Sequence, residues 1–307
     1  MKKTLIILTA FVIIGLACIW IILPGKQQLN GSLALGAALP LVLRQLPDTA
    51  HWQKWWPWPS LPGRQQPDES TVVLKGVSDT QLLLMWCEGT DSIPVEVHMT
   101  SKGNDTSLII WSTTLEAGTN PIKRVQTFAS SQRLKNDIQT LLTAFGVYAS
   151  NPFHAYGFSP EYTEVKDTML ISTKAHFSTH PNTNEIYGLF DRLEKYAVSK
   201  GATVSGLPMY NIVAAASGYD IMGALPIDRL IADAGLFKIK RMVDGHLLVT
   251  EVKAGPAQVQ KLFVQFEQYK ADHQLVSPAI PYLQPVTNRL QQPDTTQWIT
   301  RMCYPIF

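Results

Sequence analysis

Leu134, Ile138, Leu141, Leu142 and Phe145 follow one another at spacings of four, three, one and three, which draws one apolar stripe at a period of 3.6. The stripe predicts a long helix ending near residue 150. Upstream of it lie four short runs, Thr71–Val77, Gln81–Cys87, Ile93–Thr100 and Thr106–Leu115. Each is rich in β-branched or aromatic residues and is bounded by Gly, Asp, Asn or Ser, as expected of an antiparallel meander. "QLNGSLALGA" ahead of them reads as a strand and "ALPLVLRQLPD" as a short helix. "LPGRQQPDES" is turn chemistry. Residues 28–150 are therefore expected to form a curved antiparallel sheet with a long helix laid across it. "ASNPFHAYGFSPEYTE" reads as a linker.

The second half of the chain repeats itself. "LFDRLEKYAVSKGATVSGLPMY" at Leu189–Tyr210 and "LFVQFEQYKADHQLVSPAIPYL" at Leu262–Leu283 share Leu, Phe, Glu, Tyr and Pro at a constant offset of 73 residues. "DTMLISTKAHF" and "DGHLLVTEVKA" precede the two copies as strands. "NIVAAAS" and "YDIMGALPI" follow the first, and "PVTNRL" and "WITRMCYPI" the second. Each half reads as strand, helix, strand, strand. Neither half buries its sheet alone, so the two are expected to pack as a pseudo-twofold pair with one cleft on the axis. Phe190 and Phe263 are expected at equivalent inner positions of the two helices.

Thr4 to Leu23 is an uncharged run of twenty residues, preceded by Lys2 and Lys3. That length spans a bilayer core of roughly 30 Å. The flanking charges place the N-terminus in the cytoplasm and the rest beyond the membrane. No small-x-small site follows promptly, and Gly15 ahead of "LAC" departs from a lipobox. The expectation is an anchor over residues 1–25, in a single-pass protein of a bacterial inner membrane with its folded parts in the periplasm.

Composition narrows the function classes. The net charge of +2 comes without a run of like charges, which argues against a nucleic-acid partner. Cys18, Cys87 and Cys303 are scattered, without CxxC spacing, so neither a disulfide framework nor a zinc knuckle is expected. GxSxG, P-loop and GxGxxG motifs do not occur, and no cofactor is expected. His176 and His180 are four apart but lack a third metal ligand nearby. Asp220 and Asp228 flank "IMGALPI" as either a carboxylate pair or turn residues.

Residues 160–307 resemble the GyrI-like effector-binding domain attached to many AraC-type regulators, through the repeat, "KAGPAQVQKLFVQFEQY", "IPYLQP" and "PDTTQWITRMCYPI". The resemblance implies a duplicated β-α-β-β unit that holds amphipathic organic cations in its central cleft. Residues 28–150 resemble the SRPBCC superfamily, also called START-like or polyketide-cyclase-like, through the strand–helix opening, "TAHWQKWWPW" and the final helix. That implies a helix-grip sheet around a cup. The expected fold class is thus α+β: an N-terminal transmembrane helix, a helix-grip antiparallel sheet domain, then a duplicated β-α-β-β pseudo-twofold domain. Together the two parts resemble membrane-tethered two-domain proteins of bacteria. One departure matters. Aligned on Pro293, the glutamate and tyrosine usual in GyrI-like domains are replaced by Thr287 and Arg289, and the usual Thr-Glu is Thr300-Arg301.

"HWQKWWPW" holds four of the eight tryptophans of the chain. Trp52, Trp55 and Trp56 are read as a structural corner, the rim of an apolar pocket, or a membrane contact. Tyr210, Tyr219, Tyr282 and Trp298 lie on or beside the strands after the repeat helices, where they either stack a ligand or fill the sheet core. Glu251 in "LLVTEV" faces the cleft or solvent. The expected function is non-enzymatic binding of an amphipathic or apolar small molecule. The alternatives are a hydrolase or cyclase using either cavity, and a protein-interaction module.

Overall fold

The computed structural model describes residues 14, 18, 20–59, 71–88, 91–165, 169–242, 244–277 and 279–306. The chain divides into two compact units, Met1–Ala155 and Tyr156–Phe307.

In the first unit β1 (Lys26–Leu35) is followed by α1 (Leu39–Gln45) and a 3-10 turn at Thr49–Lys54. Then come β2 (Thr71–Ser78), β3 (Gln81–Glu88), β4 (Asp91–Ser101) and β5 (Ser107–Glu116). The strands form one antiparallel sheet in the order β1-β5-β4-β3-β2. Alternation sets its inner face: Ser107, Ile109, Trp111, Thr113 and Leu115 of β5 are all buried. α2 (Pro121–Ala149) starts where the Asn120 side chain accepts hydrogen bonds from the Ile122 and Lys123 amides and Pro121 opens the first turn. All five residues of the predicted stripe are buried on it. Gly146 lets the helix approach β1: a Cβ there would lie 2.6 Å from Leu35 Cδ2. α3 (Pro152–Tyr156) follows.

The second unit contains β6 (Glu161–Glu164), β7 (Met169–Phe177), α4 (Thr183–Ser199), β8 (Met209–Ala215), β9 (Gly218–Pro226), β10 (Lys238–Arg241), β11 (His246–Lys253), α5 (Pro256–Asp272), β12 (Tyr282–Pro285) and β13 (Ile299–Ile306). The sheet order is β10-β7-β9-β8-β12-β13-β11-β6. Its centre is a palindrome: β7-β9-β8 meets β12-β13-β11 at the β8–β12 seam, the topological form of the internal repeat. The seam carries a single ladder pair, Leu283 with Tyr210. α4 opens with a capping box between Asn182 and Glu185. It buries Ile186, Leu189, Phe190 and Leu193 on one sheet face against Ile171, Ile221 and Leu225. Val259, Phe266 and Tyr269 are buried on α5.

Four expectations need correction. Most of residues 4–23 lie outside the described residues, and no helix among those described is long and apolar enough to cross a membrane. The transmembrane helix of the expected fold class is overturned, and the inner-membrane, periplasm-facing localisation that rested on it falls with it. The predicted turn at residues 61–70 also lies outside the described residues. The predicted linker is largely structured, because it contains α3 and β6, and β6 hydrogen-bonds to the edge strand β11. The strand expected at "PVTNRL" lies earlier, at Tyr282–Pro285, where four residues pair with β13. Finally, Phe190 is buried but Phe263 is only half-buried; Phe266, one turn later, fills the core instead.

Candidate functional site

A cavity of about 720 Å³ lies at the pseudo-twofold axis of the second unit. The first turns of both repeat helices border it, through Asn182 and Thr183 of one and Pro256 and Ala257 of the other. Its walls include Tyr210, Tyr219, Tyr282, Trp298, Phe263 and Arg289. Four residues singled out from the sequence are thus brought together by the duplication: each half presents its post-helix strands to the axis. Tyr210, Tyr282 and Trp298 are buried, while Tyr219 is half-buried and meets His180 edge to face at 5.2 Å.

Arg289 is the charged residue among those described in this wall. Its guanidinium lies 4.9 Å from the Trp298 ring centroid and 5.7 Å from that of Tyr210. Nη1 donates to Tyr210 Oη at 3.0 Å and Nη2 to Thr300 Oγ1 at 2.8 Å. Its backbone amide donates to Tyr187 Oη at 3.0 Å, which fixes the loop that presents it. Nε is buried without a partner. A guanidinium has five N–H donors and no acceptor, so most of its hydrogen-bonding capacity is unused by the described protein groups. No carboxylate pairs with it among the described residues. Trp298 is held in place by its own indole, which donates to Gln292 O at 2.8 Å.

Glu251 does not line this cavity. It projects from the opposite sheet face and accepts from Arg301 Nε at 2.9 Å. Arg301 is its partner in the β11–β13 register and shares that face. The two charges neutralise each other away from the axis, so Arg301 is not the cation that sets the cleft's potential; Arg289 is. The sequence marks Arg289 only as a departure from the GyrI-like pattern it resembles, not as a candidate ligand residue. Phe263 was likewise assigned to the core rather than to the cleft. The signal for Arg289 is its chemistry in the sequence, a cation between Pro285 and Pro293 in a segment otherwise uncharged.

The other candidates separate. His176 Nδ1 is 2.7 Å from Asp220 Oδ1 and Nε2 is 3.2 Å from Ser217 O, whereas His180 Nδ1 is 3.1 Å from Pro181 O. Asp228 accepts from the Thr203 amide at 2.8 Å and from Arg229, whose side chain chiefly holds the carboxyl below its ordinary range. It forms no pair with Asp220. Cys303 is buried in β13 and burial pushes its thiol up to about 12, so it is protonated and unreactive at neutral pH.

In the first unit Trp52 is buried and its indole donates to Leu46 O at 2.9 Å. Trp52 stacks on Trp56 at 5.8 Å, and Trp55 meets Phe145 of α2 edge to face at 5.1 Å. Trp56 meets Trp58, which in turn meets Trp86 of β3. This chain of rings ties the 3-10 turn to both the helix and the sheet. The buried indole N–H groups of Trp55 and Trp56 have no partner.

No family model matches the chain, and no curated protein matches it. Among solved structures, the EcmrR C-terminal domain aligns at 10% identity over 49% of this chain and 98% of that one, with a TM-score of 0.42. SAV2435 bound to tetraphenylphosphonium aligns at 14% identity over 48% and 94%, with a TM-score of 0.33. A START superfamily protein from Mycobacterium smegmatis aligns at 12% identity over 40% and 96%, with a TM-score of 0.28. In these three alignments the identity is at most 14% and the TM-score is below 0.5.

Proposed function

We propose that the second unit binds a neutral or anionic amphipathic small molecule in the cleft at its pseudo-twofold axis, without chemical turnover. One observation carries this reading: Arg289, with unused donors and no carboxylate partner, sits in an aromatic wall beside Tyr210 and Trp298. Large apolar walls with a few placed polar groups are what small-molecule sites need. The first turns of α4 and α5 at the rim add partial positive charge on the same side of the balance. An organic cation would meet repulsion from Arg289, and a buried unpaired charge is costly. The described lining offers no carboxylate or thiol beside His180, which favours binding over acid–base hydrolysis. The domain boundaries 28–150 and 160–307 are proposed with this reading, the tryptophan corner belonging to the first and the cleft to the second.

The test is a fluorescence titration of the full chain with matched anionic and cationic dyes. The anionic dye is expected to bind tighter. Arg289→Gln is expected to cost it about 1.5–3 kcal/mol, the range for hydrogen bonds to charged groups. Tighter binding of the cation by the wild type, or an Arg289→Gln variant with unchanged selectivity, would refute the proposal.

A further inference from the structure

The sheet of the second unit has a second cavity, of about 240 Å³, on the face turned away from α4 and α5. Its floor follows from strand alternation. Ile171, Ile221 and Leu225 point to the helices, so Leu170, Met222 and Ala224 point the other way. Met209 of β8 joins them, and Met242 and Ile280 also line the cavity. The two cavities share Tyr210, Asn211 and Tyr282 but lie on opposite faces of the β8–β12 seam.

The walls and the rim differ in character. Met209, Met222 and Met242 line the interior, and unbranched thioether side chains adapt to irregular apolar shapes. The rim carries Lys240, Arg241 and His246 against a single acid, Asp244. Among the described residues Lys240 Nζ has one hydrogen-bond partner, Met222 Sδ at 3.3 Å. A thioether is a weak acceptor, so the ammonium retains capacity for an anion. Lys174 stands opposite Met222 in the β7–β9 register, outside the cavity lining. Among the described residues neither lysine pairs with a carboxylate.

We infer that this cavity is a second small-molecule site, specific for a single-chain carboxylate such as a medium-chain fatty acid. The alkyl chain enters the methionine-lined interior and the carboxylate meets Lys240 at the rim. A fully polar anion would leave the apolar walls unused, and an alkylammonium of the same length would face the basic rim. The inference is independent of the helix-side cleft.

The experiment uses the full chain with isotope-labelled methionine methyl groups, titrated with decanoate and with decylammonium. Decanoate is expected to shift the Met209, Met222 and Met242 signals saturably, and decylammonium to do so far more weakly. Lys240→Gln removes a charge-assisted contact and is expected to weaken decanoate binding by about tenfold. Ala224→Phe fills the interior and is expected to abolish it, while Arg289→Gln leaves these shifts in place. Absence of saturable shifts at the three methyls, equal response to decylammonium, or an unaffected Lys240→Gln variant would overturn the assignment. The Lys240 side chain is exposed, so that variant decides the matter even if Ala224→Phe does not fold.

Discussion

His176 on β7 and Asp220 on β9 are register partners, and the imidazole also faces Ser217 O, so both ring nitrogens meet acceptors. That arrangement favours the imidazolium. The hydrogen bond that the His176 ring donates to the Asp220 carboxylate chiefly raises the His176 pKa above its ordinary value. The sign follows from linkage: the folded value is raised, so the pair's contribution is fully present below the unfolded pKa and is lost as pH rises through the folded one. An NMR titration is expected to place the His176 midpoint above 6.5, and Asp220→Asn to lower it. A midpoint unmoved by Asp220→Asn would contradict the pairing. His176 and His180 are four apart, a spacing that would pair them on a helix but not on a strand. The strand ends after Phe177, so the two side chains are carried to different partners.

At the level of the element, the repeat predicts two like helices, and the structure shows where they part. Positions 73 apart coincide in the core for Ile186 and Val259 and for Leu193 and Phe266, but not for Phe190 and Phe263. The larger side chain at 266, packed against Tyr304 at 5.9 Å, takes the core volume on α5 and leaves Phe263 to the cleft. Phe266→Ala is therefore expected to cost about 3–5 kcal/mol. Phe263→Ala is expected to cost roughly 1 kcal/mol or less, as at a partly exposed site away from such packing, while weakening ligand binding in the cleft. Denaturant unfolding of the two variants distinguishes them. Equal losses would restore the two phenylalanines to equivalent core positions.

On the scale of the whole molecule, the second unit begins before its repeat. Tyr156 donates its hydroxyl to Asp272 at 2.7 Å and packs on Tyr269, and β6 covers the free edge of β11. A fragment of residues 156–307 is expected to unfold cooperatively by itself. One beginning after β6 exposes both the β11 edge and the aromatic pocket of α5, and is expected to be less stable and to bind a hydrophobic dye. Indistinguishable melting of the two fragments would show that these contacts add nothing. Period and propensity by themselves determined the elements: the α2 stripe, the five strands of the first sheet, and the duplicated strand–helix–strand–strand order are local patterns, readable because each rests on neighbours a few residues away. Which faces meet was decided only by tertiary structure. The seam between β8 and β12 brings Tyr210 beside Arg289, 79 residues later. Strand alternation on β11 turns Glu251 away from the cleft to neutralise Arg301. The uncharged N-terminal run met the length criterion for a span, yet no described helix is long and apolar enough to cross a membrane. A single-sequence pattern specifies period and length, whereas the sign of a cleft's charge depends on which residues distant in the chain share its wall.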